Sequence, residues 1–308
     1  FFFKQKTAYE IPKRDWSSDV CSSDLLSENA RPFKSKVTFV APMWTPFKTL
    51  NWLANRSIDA STKGPNVLFW ESLQGFYFSS IDTIFENQKD SKKRKVFFYG
   101  LDDTTVKKIA EKIKIENTLP AGYEKVEEVT IPAPTDVIKS QDYGHYSSNM
   151  HVLDIATKEY KEYLFDYASN FEDYKHIDDS KNPPFNVLTP RNFYSYKTFR
   201  PKHNKLFNDY QDPKYEDWVG QRTSLLYDLS NLRVIITVPG NCNIEAGEVV
   251  NFYYPSMKEK RPGDDLKDLV DSYLSGGYLV VAVRHTISQE KYRMKVELVK
   301  ESLANSVV

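Results

Sequence analysis

Between Leu232 and Leu298 the chain alternates apolar and polar residues with a period of two, strand after strand. Leu232, Val234, Ile236 and Val238 alternate with Arg233, Ile235 and Thr237 as far as Pro239-Gly240, and Glu248–Tyr254 (EVVNFYY) follows the Ala246-Gly247 turn. Gly276-Gly277 opens Tyr278–Ile287, where Leu279, Val281, Val283 and Ile287 share one face. Beyond the turn Ser288-Gln289-Glu290-Lys291, the residues Tyr292, Met294, Val296 and Leu298 return opposite Arg293, Lys295 and Glu297. Successive side chains of a strand point to opposite faces, so this pattern predicts an antiparallel sheet with one buried face. With no repeats and little helix among these strands, the sheet is expected to close as a small barrel or sandwich. Val281 and Val283 then face inward with Val296 and Leu298, while Arg284, Lys295 and Glu297 face out.

Upstream, helical and strand patterns mix. Thr45-Pro46 supplies an N-cap and a proline at the first helical position, and Phe47, Leu50, Leu53, Ala54 and Ile58 recur at helical spacing, predicting a helix over Thr45–Ile58. Asn66–Glu71 and Gly75–Ser79 read as an aromatic hairpin, and Lys95–Tyr99 as a third strand. Val106, Ile109, Ala110 and Ile113 form an amphipathic helix capped by Asp103 or Thr104. The basic run Lys89–Lys95 reads as a solvated loop. His151–Ile155 and Tyr160–Tyr167 read as strands, Asp178–Asp217 as a proline-broken irregular excursion, and Trp218–Leu229 as a helix. The fold class is thus α+β and β-rich, with a mixed α/β domain over 26–144 and an antiparallel β-barrel over 145–303 that carries an inserted loop and helix at about 170–231.

Phe1–Leu25 stands apart. KQKTAYEI and DWSSDVCSSDL resemble the two translated halves of a common short-read library adapter, with Pro12-Lys13-Arg14 where a sample index sits. The expectation is an artefact rather than native sequence, with the true N-terminus lost. Its removal takes away four basic and four acidic residues and leaves a neutral chain, which offers no overall field for nucleic acid or an anionic membrane. Cys21 goes with it, so Cys242 has no internal disulfide partner. No apolar run approaches the length of a membrane-spanning helix.

Chemistry-bearing motifs are missing: there is no G-x-S-x-G, H-E-x-x-H, Walker loop or G-x-G-x-x-G. His145, His151 and Asp154 come nearest to a ligand set, but His151 and Asp154 fall on opposite faces of a strand. His285 shares the parity of Val281 and Val283 and reads as a half-buried structural histidine. Asp102-Asp103 and Asp264-Asp265 are adjacent pairs beside turns, read as solvated turn residues. The aromatic Tyr194–Tyr210 segment reads as an intersubunit packing arm. No catalytic, cofactor-binding or metal-ligating residue is expected, and no enzymatic activity.

Two stretches carry a resemblance. VPGNCNIEAGEVVNFYYP followed by LSGGYLVVAVRHTISQEKYRMKVELVKES resembles the closing segment of phage baseplate hub proteins, through Gly240, Ile244, Gly247, Glu248, Ser275, Gly276, Tyr278, His285, Leu298, Val299 and Lys300. TPFKTLNWLANRSI followed by NVLFWESLQGFYFSSID resembles the helix and aromatic hairpin of the same family. The resemblance implies a structural subunit of the virion, made in the host cytoplasm: a homotrimer on the axis of a contractile tail. Each subunit would carry two tube-like barrels, so that three subunits match a six-fold ring and join tail tube to spike. The implied partners are a spike or tail-lysozyme protein, the tail tube and the baseplate wedge proteins, without nucleic-acid specificity or membrane insertion. A first barrel is expected upstream of Leu26. The alternatives are a type VI or extracellular injection spike hub, and a tail-associated cell-wall hydrolase.

Overall fold

The structure is a computed structural model and describes residues 33, 42–73, 75–115, 122–132, 143–154, 158–181, 191–197, 216, 218–258 and 265–304. Phe1–Leu25, Asp264 and most of the proline-broken excursion lie outside them. Along the chain the elements are α1 (Pro46–Ala54), β1 (Val67–Glu71), β2 (Phe76–Ser80), α2 (Ile81–Asn87), β3 (Val96–Phe98), α3 (Asp103–Ile113), β4 (Glu128–Thr130), β5 (Ser147–Asp154), β6 (Glu159–Asp166) and α4 (Tyr167–Asn170). They continue through β7 (Ser180–Lys181), β8 (Arg191–Lys197), α5 (Val219–Asn231), β9 (Leu232–Pro239), β10 (Val249–Tyr253), α6 (Leu266–Leu269), β11 (Gly276–Ile287), β12 (Tyr292–Lys300) and β13 (Ser302–Leu303).

The fold is α+β and strand-rich, built on a sheet curled into a half-barrel. Six strands make that sheet, in the order β3-β10-β11-β12-β9-β4. All neighbours run antiparallel except β3, which lies parallel to β10. Two edge strands, β3 and β4, come from before residue 144, so the sheet draws on both sides of the boundary expected from the sequence. One chain segment bridges its edges. Phe98 N–H donates to the Glu124 carbonyl (2.8 Å) and Val126 N–H to the Phe98 carbonyl (2.9 Å), after which Glu127 N–H reaches the Thr237 carbonyl (2.8 Å) and β4 pairs with β9. The enclosed core holds Phe97, Val126, the inward residues Val234, Ile236 and Val238 of β9, Val250 and Phe252 of β10, Tyr278 and Val280 of β11, and Met294, Val296 and Leu298 of β12.

The alternation in β11 misleads. Val280 pairs with Leu298 but Ala282 pairs with Glu297, so Val281 is the extra residue of a β-bulge. The bulge reverses the parity of the strand's first part: Tyr278 and Val280 point into the core, Val283 packs against it, and Val281 is 41% exposed.

Other elements cover the outer face. Leu225 and Leu229 of α5, with Ile81, Ile84 and Phe85 of α2, pack on Val249, Leu279 and Val299. Ile109 of α3 packs on Val96, Phe98 and Tyr253. β3 and β10 are buried on both faces, which is why neither shows a period of two. Asp102 caps α3, accepting from Thr105 N–H at 3.1 Å, one residue before the expected cap. α1 ends at Ala54, so Ile58 is buried beyond the helix rather than in it. Inside the stretch read as irregular, β8 forms a strand parallel to β5, giving the three-stranded sheet β6-β5-β8.

Candidate functional site: the joint where the motif residues meet

The two stretches that carry the resemblance touch. Gly247 adopts φ +93°, where a side chain would be strained, and a Cβ there would meet the Trp70 ring at 2.7 Å. Trp70 of β1 lies against this bare backbone and donates its indole N–H to the Ala246 carbonyl at 3.1 Å, across 176 positions of sequence. Ser72 donates to Glu245 at 2.7 Å. Gln88, after α2, donates to the Gly247 carbonyl at 3.1 Å and accepts from Val249 N–H at 2.6 Å. The aromatic hairpin is thus locked to the turn that enters β10, and Ile244 of that turn is buried in the core. Gly240 serves in the same way at the other end, because a Cβ there would enter the Tyr292 ring.

The second group of motif residues builds a buried ion cluster. On β12 the inward parity Met294, Val296, Leu298 continues to Lys300, which is fully buried. Its ammonium donates to the Ser275 carbonyl (2.6 Å), lies 5.3 Å from the centre of the Tyr278 ring and sits 3.8 Å from Asp178. Gly276 and Gly277 leave the room: a Cβ on Gly276 would meet Lys300 Nζ at 2.7 Å, and one on Gly277 would meet Arg94 at 2.6 Å. Arg94 pairs with the other Asp178 oxygen at 3.7 Å and donates to the carbonyls of Gln88 and Ile177. Gly277 N–H donates to Asp178 at 3.0 Å. Burial raises the Asp178 pKa while Lys300 and Arg94 pull it back, and burial lowers those of Lys300 and Arg94. Ser275, Gly276, Tyr278 and Lys300, split over two strands in sequence, are therefore the walls of a single site.

Arg94 corrects the reading of the basic run as solvated: it is buried, and Lys95 next to it bridges to Glu248, with both carboxylate oxygens 2.9 Å away. Sequence reasoning missed Asp178, His176 and Glu301 as well. The signal was present in the inward parity of Lys300, since a lysine at a core position demands an anion nearby.

The histidines occupy separate places. His285 and Cys242 both contact the Tyr292 hydroxyl, at 2.9 and 3.2 Å. His145 stacks on Tyr227 with centroids 3.8 Å apart, and burial lowers its pKa. His151 contacts the Tyr160 hydroxyl, and Asp154 lies three positions on in the same strand. Asp102 is a cap, with Asp103 in the first turn of its helix. Among the described residues no three of His, Cys, Asp or Glu converge as metal ligands, and no helix is long and apolar enough to cross a membrane. A third buried group surrounds Asp228 of α5, whose carboxyl faces Asn231 (3.1 Å) and Tyr146 (3.4 Å). Burial holds its pKa well above the usual carboxylate range.

No protein-family model matches the chain, and no curated protein matches it. Among solved structures, the tail protein from Neisseria meningitidis MC58 is similar, with a TM-score of 0.41 and 11% identity over 86% of this chain and 57% of that one. The 43 kDa tail protein of prophage MuSo2 from Shewanella oneidensis is similar with a TM-score of 0.40 and 10% identity, over 86% and 55%. The chain spans a little over half the length of each. At that degree of likeness neither fold nor function follows from them.

Proposed function

We propose that this chain is a structural subunit of a phage tail, a baseplate hub that joins the tail tube to the central spike as a homotrimer. One observation carries the reading: the residues that resemble the hub family all do architectural work, and its two separate stretches meet at Trp70 and Gly247. Gly240, Gly247, Gly276 and Tyr278 are packing positions, Glu248 is held by Lys95, and Lys300 fills the mouth of the curled sheet.

Light scattering on the intact gene product, with co-sedimentation on purified tail tubes, tests it. The expected results are a mass of three chains and retention on tubes; deletion of the gene in its phage is expected to leave tails without a spike. A monomer at every concentration that also ignores tubes, or infectious tails assembled without the gene, would overturn the reading.

A further inference from the structure

His176 lies where the segment after α4 meets the end of β12. Its ring rests flat on Phe171, centroids 3.6 Å apart and 8° from parallel. Nδ1 is 2.8 Å from Glu301 Oε2, and Nε2 is 2.6 Å from the Phe171 carbonyl oxygen. A backbone carbonyl can only accept. The other oxygen of Glu301 accepts the Ile177 N–H and the Ser302 hydroxyl, each at 2.8 Å. A neutral imidazole carries one N–H and the imidazolium two. With Glu301 as a carboxylate, the charged ring is the form that donates to both partners.

The same contacts tie two segments together. Ile177 N–H binds Glu301, Asp178 N–H donates to Ser302 Oγ at 2.8 Å, and β7 pairs with β13. Charge comes from every side. Asp82 approaches from α2, where Glu86 is paired with Lys175 at 3.7 Å; Lys300 and Glu301 come from the end of β12; Asp178, held by Arg94, follows on His176's own segment; Asp228 of α5 lies beyond, within the field of Glu301. Arg94 and Lys300 both face Asp178, which leaves the imidazolium as the counter-charge paired directly with Glu301.

We propose that His176 is a protonation-controlled latch: as the imidazolium it holds the segment around Ile177–Lys181 against Glu301–Leu303, and its deprotonation lets that segment open. Burial alone would lower the pKa of His176, but the hydrogen bond and charge of Glu301, with the Phe171 carbonyl and Asp82, raise it. A group raised in the folded state contributes stability that is complete below its unfolded value of about 6.5 and is lost as pH rises through the folded one. Opening therefore grows by up to about tenfold per pH unit between those two values and then levels off.

The test is hydrogen exchange on the full chain at pH 6 and pH 8.5, corrected for base catalysis of the intrinsic rate. Protection at Ile177–Lys181 is expected to fall as the pH rises, while that at Ile236 and Val296 in the sheet stays level. His176→Gln and Glu301→Gln are expected to show low protection at both pH values. Nitrogen NMR of labelled histidine decides without any variant: of the five rings, the one missing in His176→Gln is expected to keep two N–H protons to a higher pH than a free imidazole does. If the variant does not fold, that ring is assigned from its contact with Phe171. A His176 ring that loses its second proton at or below the pH of a free imidazole, or protection at Ile177–Lys181 that does not change with pH in the wild type, would overturn the proposal.

Discussion

Lys300 shows how a single residue can set the terms for its neighbours. A buried ammonium is tolerated only with a hydrogen-bond acceptor and an anion, and here it has the Ser275 carbonyl and Asp178. Removing one member of a buried pair strands the other, at a typical cost of about 3–5 kcal/mol. Lys300→Met, which keeps the length and loses the charge, is therefore expected to lower the melting temperature by roughly 6–20 °C at about 2–4 °C per kcal/mol. Arg94 remains beside Asp178 in that variant and places the effect toward the lower end. A melting curve unchanged within 2 °C would mean that the lysine is neutral or hydrated in the native protein.

At the scale of elements, the β11 bulge makes the sharpest comparison. Val280 is buried in the core and its neighbour Val281 is 41% exposed. Val280→Ala removes about two buried methyl equivalents, roughly 2 kcal/mol with the cavity left behind. Val281→Ala is expected to cost about 0.5 kcal/mol or less. Urea unfolding of both variants checks the order, and a larger loss at Val281 would place the bulge elsewhere. The same strand explains what could be read in advance. β9 and β12 were legible because one face of each is enclosed and the period of two survives intact. β11 carries the same signal with one extra residue, so its inward set was misassigned from Val281. β3 and β10 hide their parity because helices cover their outer faces. β4 is three residues long and is defined by pairing with β9 rather than by any pattern of its own. The motif residues were visible as a spacing, but their convergence on Asp178 was not, because Arg94 comes from a run read as a loop and Asp178 from the first residue of the irregular excursion.

Among the described residues, burial displaces the titrations of Asp82, Asp178 and Lys300. Burial raises Asp82 to about 6, so the folded state binds a proton that the unfolded state has released. Stability from this group is present below the unfolded value of about 3.9 and is lost as pH rises through about 6. Asp82→Asn, which stays neutral, is expected to gain more over the wild type at pH 7 than at pH 4, as read by melting temperature. An equal gain at both would show that Asp82 remains ionised throughout.

The strand order also carries a consequence in time. β12 is the latest-made of the six sheet strands and lies near the middle, joining β11 on one side to β9 on the other. Until it leaves the ribosome, β3-β10-β11 and β9-β4 meet through the Glu124–Glu127 segment but not along β11 and β9, which offer apolar residues and a bare edge to other nascent chains. Synthesis and folding are thus out of step by nearly the whole described length, and a chaperone that shelters those edges during the wait would govern how much of this protein is recovered from a cell.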